Sequence, residues 1–70
     1  MPEMQFVTSS NIESVGYDVS TQELHVRFLT GRTYVYYEVE EYKFIEMLSG
    51  GSVGVYLKQN IEKNYRYAEI

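Results

Sequence analysis

The sequence predicts an α+β domain, a three-stranded antiparallel β-meander with two helices packed on one face (βββαα). Three observations point there. Residues 24 to 36 alternate apolar and polar side chains with a period of two, the mark of half-buried strands. A glycine at position 31 interrupts that run at a turn. After Glu38 the apolar residues recur at helical spacing instead.

The hairpin comes first, because its register decides which face is core. Leu24, Val26 and Phe28 alternate with His25, Arg27 and Leu29, and Tyr34 and Tyr36 alternate with Thr33, Val35 and Tyr37. Both runs are rich in β-branched and aromatic residues, which suit a pleated surface. A two-residue turn at Thr30-Gly31 would need a positive φ at Thr30, which a β-branched residue resists. A three-residue loop with a bulge needs one only at Gly31. That loop sets Phe28 opposite Arg32, Val26 opposite Tyr34 and Leu24 opposite Tyr36. It gathers Leu24, Val26, Phe28, Tyr34 and Tyr36 on one face. A one-residue slip would set the apolar face of one strand against the mixed face of the other. The second face then carries His25, Arg27, Leu29, Thr33, Val35 and Tyr37.

Upstream, Ile12 to Asp18 reads as the first strand, with Val15 and Tyr17 facing the core and Gly16 marking a bulge. Ile12 has the wrong parity for that face. Asp18 to Glu23 is a polar turn. Pairing Val19 with Gln22 sets Tyr17 opposite Leu24 and Val15 opposite Val26, in agreement with the hairpin. Residues 1 to 11 read as a lead-in anchored by Phe6 and Val7, with a turn at Ser9-Ser10-Asn11.

Downstream, Val39, Tyr42, Ile45 and Leu48 recur every third residue, widened by Phe44 and Met47, so the spacing predicts a helix over 38–49. Glu38, Glu40 and Glu41 stand at its start, where the macrodipole favours negative charge. Ser49-Gly50-Gly51 ends it. Ser52 is an N-cap for a second helix, with Val53, Tyr56, Leu57, Ile61 and Tyr65 as its buried stripe and Lys58–Glu62 as an outer i, i+4 pair. Gly54 costs that helix about 1 kcal/mol against alanine, which a close approach to the sheet or to the first helix would explain. Residues 66 to 70 read as a tail.

Seventy residues make one small domain (1–70, core about 7–65), which buries only about 60% of its unfolded surface. There is no cysteine, so neither disulfides nor a thiolate-held metal can staple it, and a single histidine makes an imidazole metal site improbable. No cofactor is implied. Eight tyrosines and three phenylalanines must supply much of the core, with tyrosine hydroxyls needing partners or an exit to water. Dimerisation is a common remedy for a core this small. A net charge of −4 disfavours a general nucleic-acid binder, because neutralising phosphates needs clustered Lys and Arg. No apolar run is long enough to span a membrane and the N-terminus has no signal-peptide pattern, so a cytoplasmic protein of a bacterium, an archaeon or a virus is expected.

The ordered set Val7-x-Ser9-Ser10-x-Ile12, Val15-Gly16-Tyr17-Asp18, Leu24-x-Val26-x-Phe28-x-x-Gly31-x-x-Tyr34-x-Tyr36-x-x-Val39 and Ser52-x-Gly54-x-Tyr56 with Asn60-Ile61 resembles the KTSC domain family. The resemblance runs from about Val7 to Tyr65. It implies a small domain found alone in bacteria and phages, and at the C-terminus of some lysyl-tRNA synthetases, an association that suggests RNA binding. The chain departs from the pattern at Glu40, where a proline commonly follows the valine. It departs again at Lys58-Gln59-Asn60, which replaces an aromatic-Asn arrangement.

Several motifs admit a functional and a plain reading. Gly51-Ser52-Val53-Gly54 has the GxxG form of a KH loop, which clamps a nucleic-acid backbone. Ser and Val stand between these glycines rather than basic residues, and the strand order differs, so cap and packing roles explain it better. A helix N-terminus there also suits phosphate, but no lysine follows Gly54 as in a P-loop. Tyr34 and Tyr36 have the chemistry to stack bases, but the register turns them into the core. Tyr37, on the second face with Arg27 and His25, is the better stacking candidate. Lys58, Lys63 and Arg66 make the C-terminal region the one basic zone. Glu38, Glu40, Glu41 and Glu46 spread over an exposed helix face, without a nucleophile–base arrangement beside them, so no enzyme activity is expected. The leading function is a non-catalytic interaction module, acting by self-association, as a homodimer for example, or by docking a protein partner, with Arg27, Val35, Tyr37, Lys58, Lys63 and Arg66 as binding residues. RNA binding through the cationic members of that set is one alternative. An acidic phage-type inhibitor of a nucleic-acid-binding host protein is the other. No membrane partner is implied.

Overall fold

A computed structural model describes residues 2–70; Met1, part of the expected lead-in, lies outside them. Among the described residues the sheet has five antiparallel strands in sequential order rather than three: β1 Gln5–Phe6, β2 Ile12–Asp18, β3 Glu23–Phe28, β4 Thr33–Tyr36 and β5 Tyr67–Glu69. Helix α1 (Glu41–Ser49) and a second helical segment lie between β4 and β5. That segment is α2 (Val53–Tyr56), continued by a π-helical turn over Leu57–Ile61.

The central register is the one the turn chemistry predicts. Gly31 has φ +96°, the Phe28 amide donates to the Arg32 carbonyl, and the Gly31 amide donates to the Phe28 carbonyl. Val26 pairs with Tyr34 and Leu24 with Tyr36; Tyr17 faces Leu24 and Val15 faces Val26. At the other end Asp18 Oδ1 accepts from the Ser20 amide and hydroxyl, and Gln22 takes φ +59°.

The parity of Ile12 also resolves. The ladder steps from Ile12↔Phe28 to Ser14↔Arg27, so Glu13 is an extra residue in β2. This bulge, and not one at Gly16, returns Ile12 to the core face, where it is 1% exposed. Gly16 pairs regularly with His25. Its missing side chain serves the N-terminal segment: a Cβ there would stand 2.6 Å from the Glu3 carbonyl oxygen and 2.8 Å from Met4 Sδ. Of the two expected anchors, Val7 packs on the core, whereas Phe6 is 81% exposed.

One core lies between the sheet and the helices, built from Ile12, Val15, Leu24, Val26, Tyr36, Val39, Met47, Val53, Leu57 and Ile61. Helix α1 matches the expected stripe in part. Met47 is buried and Phe44 and Leu48 pack on the core, whereas Tyr42 and Ile45 are exposed. The helix begins at Glu41, two residues after Val39, so Val39 is buried from the loop and does not set the helical phase. Glu38 takes φ +57° in that loop.

Ser52 caps α2 as its sequence indicates, its hydroxyl accepting from the Val55 amide. Gly54 lies against the Ser9–Asn11 turn and the start of β2: a would-be Cβ would stand 3.1 Å from Asn11 Oδ1, 3.3 Å from Ser9 Oγ and 4.0 Å from Ile12 Cδ1. The π turn, closed by the Glu62 amide on the Leu57 carbonyl, carries Leu57 and Ile61 both into the core. The expected Lys58–Glu62 ion pair does not form among the described residues. Past it the chain returns as β5, where a tail was expected, pairing Val35 with Ala68 and Tyr36 with Tyr67.

Candidate binding surfaces

Alternation along β2–β4 puts a second set of side chains on the side away from the helices. Rows of this face can be read across the sheet. Phe6 pairs with Ser14, Ser14 with Arg27 and Arg27 with Thr33, and the Ile70 amide donates to the Thr33 carbonyl. In the next row Gly16 pairs with His25, His25 with Val35 and Val35 with Ala68.

The centre of this face is more closed than its mixed composition suggests. Ser14, His25, Thr33 and Val35 are buried. Val35, expected as a contact residue, is on the predicted face but only 3% exposed, flanked by His25 and Ala68, so it offers no contact area. Arg27 is half-buried and its Nε donates to Thr33 Oγ1 (3.3 Å). His25 Nε2 lies 3.2 Å from Glu23 Oε1, and its Nδ1 is buried without a hydrogen-bond partner among the described residues. The apolar exposure is at the margins: Phe6 (81%) on β1, Ile70 (62%) beyond β5 and Leu29 (60%) just past β3. Of these, sequence reasoning placed Leu29 on this face but not Phe6 or Ile70, because strands of two and three residues are too short to show a period.

The other candidates fall into two groups. Tyr37 and Arg66 come together: the Tyr37 amide donates to the Arg66 carbonyl, and the guanidinium lies 5.5 Å from the Tyr37 ring centroid. The same guanidinium reaches Glu38 Oε1 at 3.2 Å. Lys58 is exposed on the helical segment that covers the opposite face of the sheet, and Lys63 on the turn after it. The sheet therefore separates Lys58 from Arg27.

Two members of the acidic group, Glu40 and Glu46, accept hydrogen bonds from tyrosine hydroxyls. Glu40 accepts from the Tyr65 hydroxyl, which holds the Glu40 carboxyl below its ordinary range. Glu46 Oε1 accepts from Tyr56 Oη at 2.6 Å. Lys43 lies 5.3 Å from the Tyr65 ring centroid. These contacts bind α1 to the segment that follows it.

On the helix side, where β5 meets β4, Tyr34, Tyr36, Tyr67 and Glu62 line a pocket of about 170 Å³. The Tyr67 ring centroid is 5.8 Å from that of Tyr34 and 5.7 Å from that of Tyr36, tilted 57° and 38°. Tyr36 is buried, Tyr34 half-buried and Tyr67 exposed. Burial, then the nearby Glu62 carboxylate, push the Tyr36 phenol up to about 12.

With this geometry in view, the comparisons place the chain. The KTSC domain model matches residues 8–65, and the chain belongs to the KTSC domain family. It is similar to a protein of Tsukamurella paurometabola, at 41% identity over 63 residues that cover 90% of this chain and 94% of that one. The crystal structure of a KTSC domain protein from Yersinia pestis superposes with a TM-score of 0.93 at 31% identity, covering 100% of this chain and 99% of that one. The α+β architecture and the family resemblance read from the sequence are thereby shown. No helix among the described residues is long and apolar enough to cross a membrane.

Proposed function

We propose that this chain is a non-catalytic interaction module that docks a protein partner, or a second copy of itself, on the sheet face away from the helices. The observation that supports this reading is the row from Phe6 through Ser14, Arg27 and Thr33 to Ile70, with large exposed apolar side chains at both ends and an arginine between them. Apolar anchors around an arginine are the composition of interface hot spots. The short edge strands β1 and β5 keep sheet-to-sheet pairing from competing with such docking.

Sedimentation velocity over a concentration series, together with recovery of partners from a bacterial lysate, tests the reading. Phe6→Ser combined with Ile70→Ser changes exposed side chains and leaves the core intact. The wild-type chain is expected to self-associate or to retain a protein, and the double variant to lose that. Retention of RNA in place of protein, lost in Lys58→Glu with Lys63→Glu, would favour the RNA-binding alternative. Wild-type behaviour in the double variant would overturn the proposal.

A further inference from the structure

We propose that the pocket between Tyr34, Tyr36, Tyr67 and Glu62 is an aromatic cage for a compact alkylated ammonium group. Three features carry this. First, the rings come from adjacent strands and are tilted against one another, so they form facets of a concave wall instead of a flat stack. The negative face of a tyrosine ring attracts a cation lying against it, and several rings around one cation is how quaternary ammonium groups are recognised.

Second, no cation among the described residues is paired with the carboxylate that lines the pocket. Glu62 makes no ion pair among the described residues, although Lys58 stands four positions before it. The π turn between them sets their relative placement. Its field is felt inside the pocket, since Glu62 is the leading charged influence on the Tyr36 phenol.

Third, the hydroxyls of Tyr34, Tyr36 and Tyr67 have no hydrogen-bond partner among the described residues, whereas those of Tyr17, Tyr56 and Tyr65 each donate to a named oxygen. The second group ties elements together, and the first lines a cavity. At about 170 Å³ the pocket is smaller than the ligand pockets that hold drug-sized molecules and suits a single head group. A hydrated primary ammonium is a poorer fit, because it gives up strong hydration for a site with one carboxylate. An alkylated ammonium gives up less and presents methyl groups to the rings. The net charge of −4 favours a cationic ligand over an anionic one.

Titration of the 70-residue domain followed by nuclear magnetic resonance tests this. The probes are choline, a short peptide containing trimethyllysine, and 3,3-dimethyl-1-butanol, the uncharged shape analogue of choline. Saturable shifts are expected at the Tyr34, Tyr36 and Tyr67 rings with both cations, and none with the neutral analogue. Tighter binding of the peptide would assign the group to a modified protein side chain, and equal or tighter binding of choline to a free small molecule. Tyr67→Leu, which keeps an apolar side chain on the exposed edge strand, and Glu62→Gln should each weaken binding by about three-fold or more. Equal shifts with the neutral analogue would overturn the assignment. So would an unchanged affinity in both variants, or no saturable shift by about 50 mM cation.

Discussion

Gly16 and Gly31 lack a side chain for different reasons, and substitution separates them. At Gly16 the constraint is space, because a methyl group would meet the Glu3 carbonyl oxygen at 2.6 Å. Gly16→Ala should cost about 1–3 kcal/mol in urea unfolding, or release the N-terminal segment from the sheet. At Gly31 an added Cβ would meet no described residue within 4 Å, its chain neighbours aside, and the constraint is φ +96°. Gly31→Ala should cost about 1–2 kcal/mol through backbone strain alone, with Gly31→Asn recovering part of it. Position 31 was legible in the sequence, since turn chemistry is local. The role of Gly16 was not, since it depends on a segment twelve or more residues away folding back over it.

The elements show where pattern reading succeeds and where it stops. The β2–β4 meander was readable because three runs of alternation constrain one another. Two strands went unseen for want of length. The stripe of α1 is read in part: Phe44, Met47 and Leu48 face the core as expected, whereas Tyr42 and Ile45 do not, because Val39 lies ahead of the helix and cannot set its phase. Met47→Ala should therefore cost about 2–5 kcal/mol, while Tyr42→Lys and Ile45→Lys should each stay within about 0.5 kcal/mol of wild type. Thermal melts of the three variants distinguish the two phases. Ser52→Ala removes the N-cap bond to Val55 and should cost about 1 kcal/mol. Of the candidate binding residues, the sequence placed Arg27 and Val35 on their strand face correctly, because parity follows from register. It did not reveal that Val35 is enclosed, or that Lys58 and Arg27 lie on opposite sides of the sheet, since both depend on how non-adjacent segments cover it.

Partly buried phenols and hydrogen-bonded surface carboxylates give the domain distinct alkaline and acid responses. Tyr36 and Tyr56 both titrate at about 12 in the folded chain, raised first by burial and then by the carboxylates of Glu62 and Glu46 respectively. An unfolded tyrosine titrates near pH 10. The stability these two contribute is therefore complete below about pH 10 and is lost as pH rises through about 12. On the acid side the Glu40 and Asp18 carboxyls are held below their ordinary range by the hydroxyls of Tyr65 and Ser20. Their contribution is present above the unfolded value near pH 4 and lost as pH falls through the lower folded values. Both carboxylates are at the surface, so the acid limb should be the shallower. Melting temperatures read by circular dichroism should fall steadily above about pH 10, and Tyr36→Phe should blunt that fall.

Both proposed surfaces depend on one geometric fact, that the turn at Gly31 sends Tyr36 toward the helices and Val35 away from them. Nuclear Overhauser contacts in the isolated domain test it directly. The account predicts contacts from the Tyr36 ring to the side chains of Leu24 and Tyr67, and from the Val35 methyls to the His25 ring and the Ala68 methyl. Contacts from the Val35 methyls to Leu57 or Ile61 would contradict it, since they would place Val35 beneath the helices and the tyrosine pair on the other side.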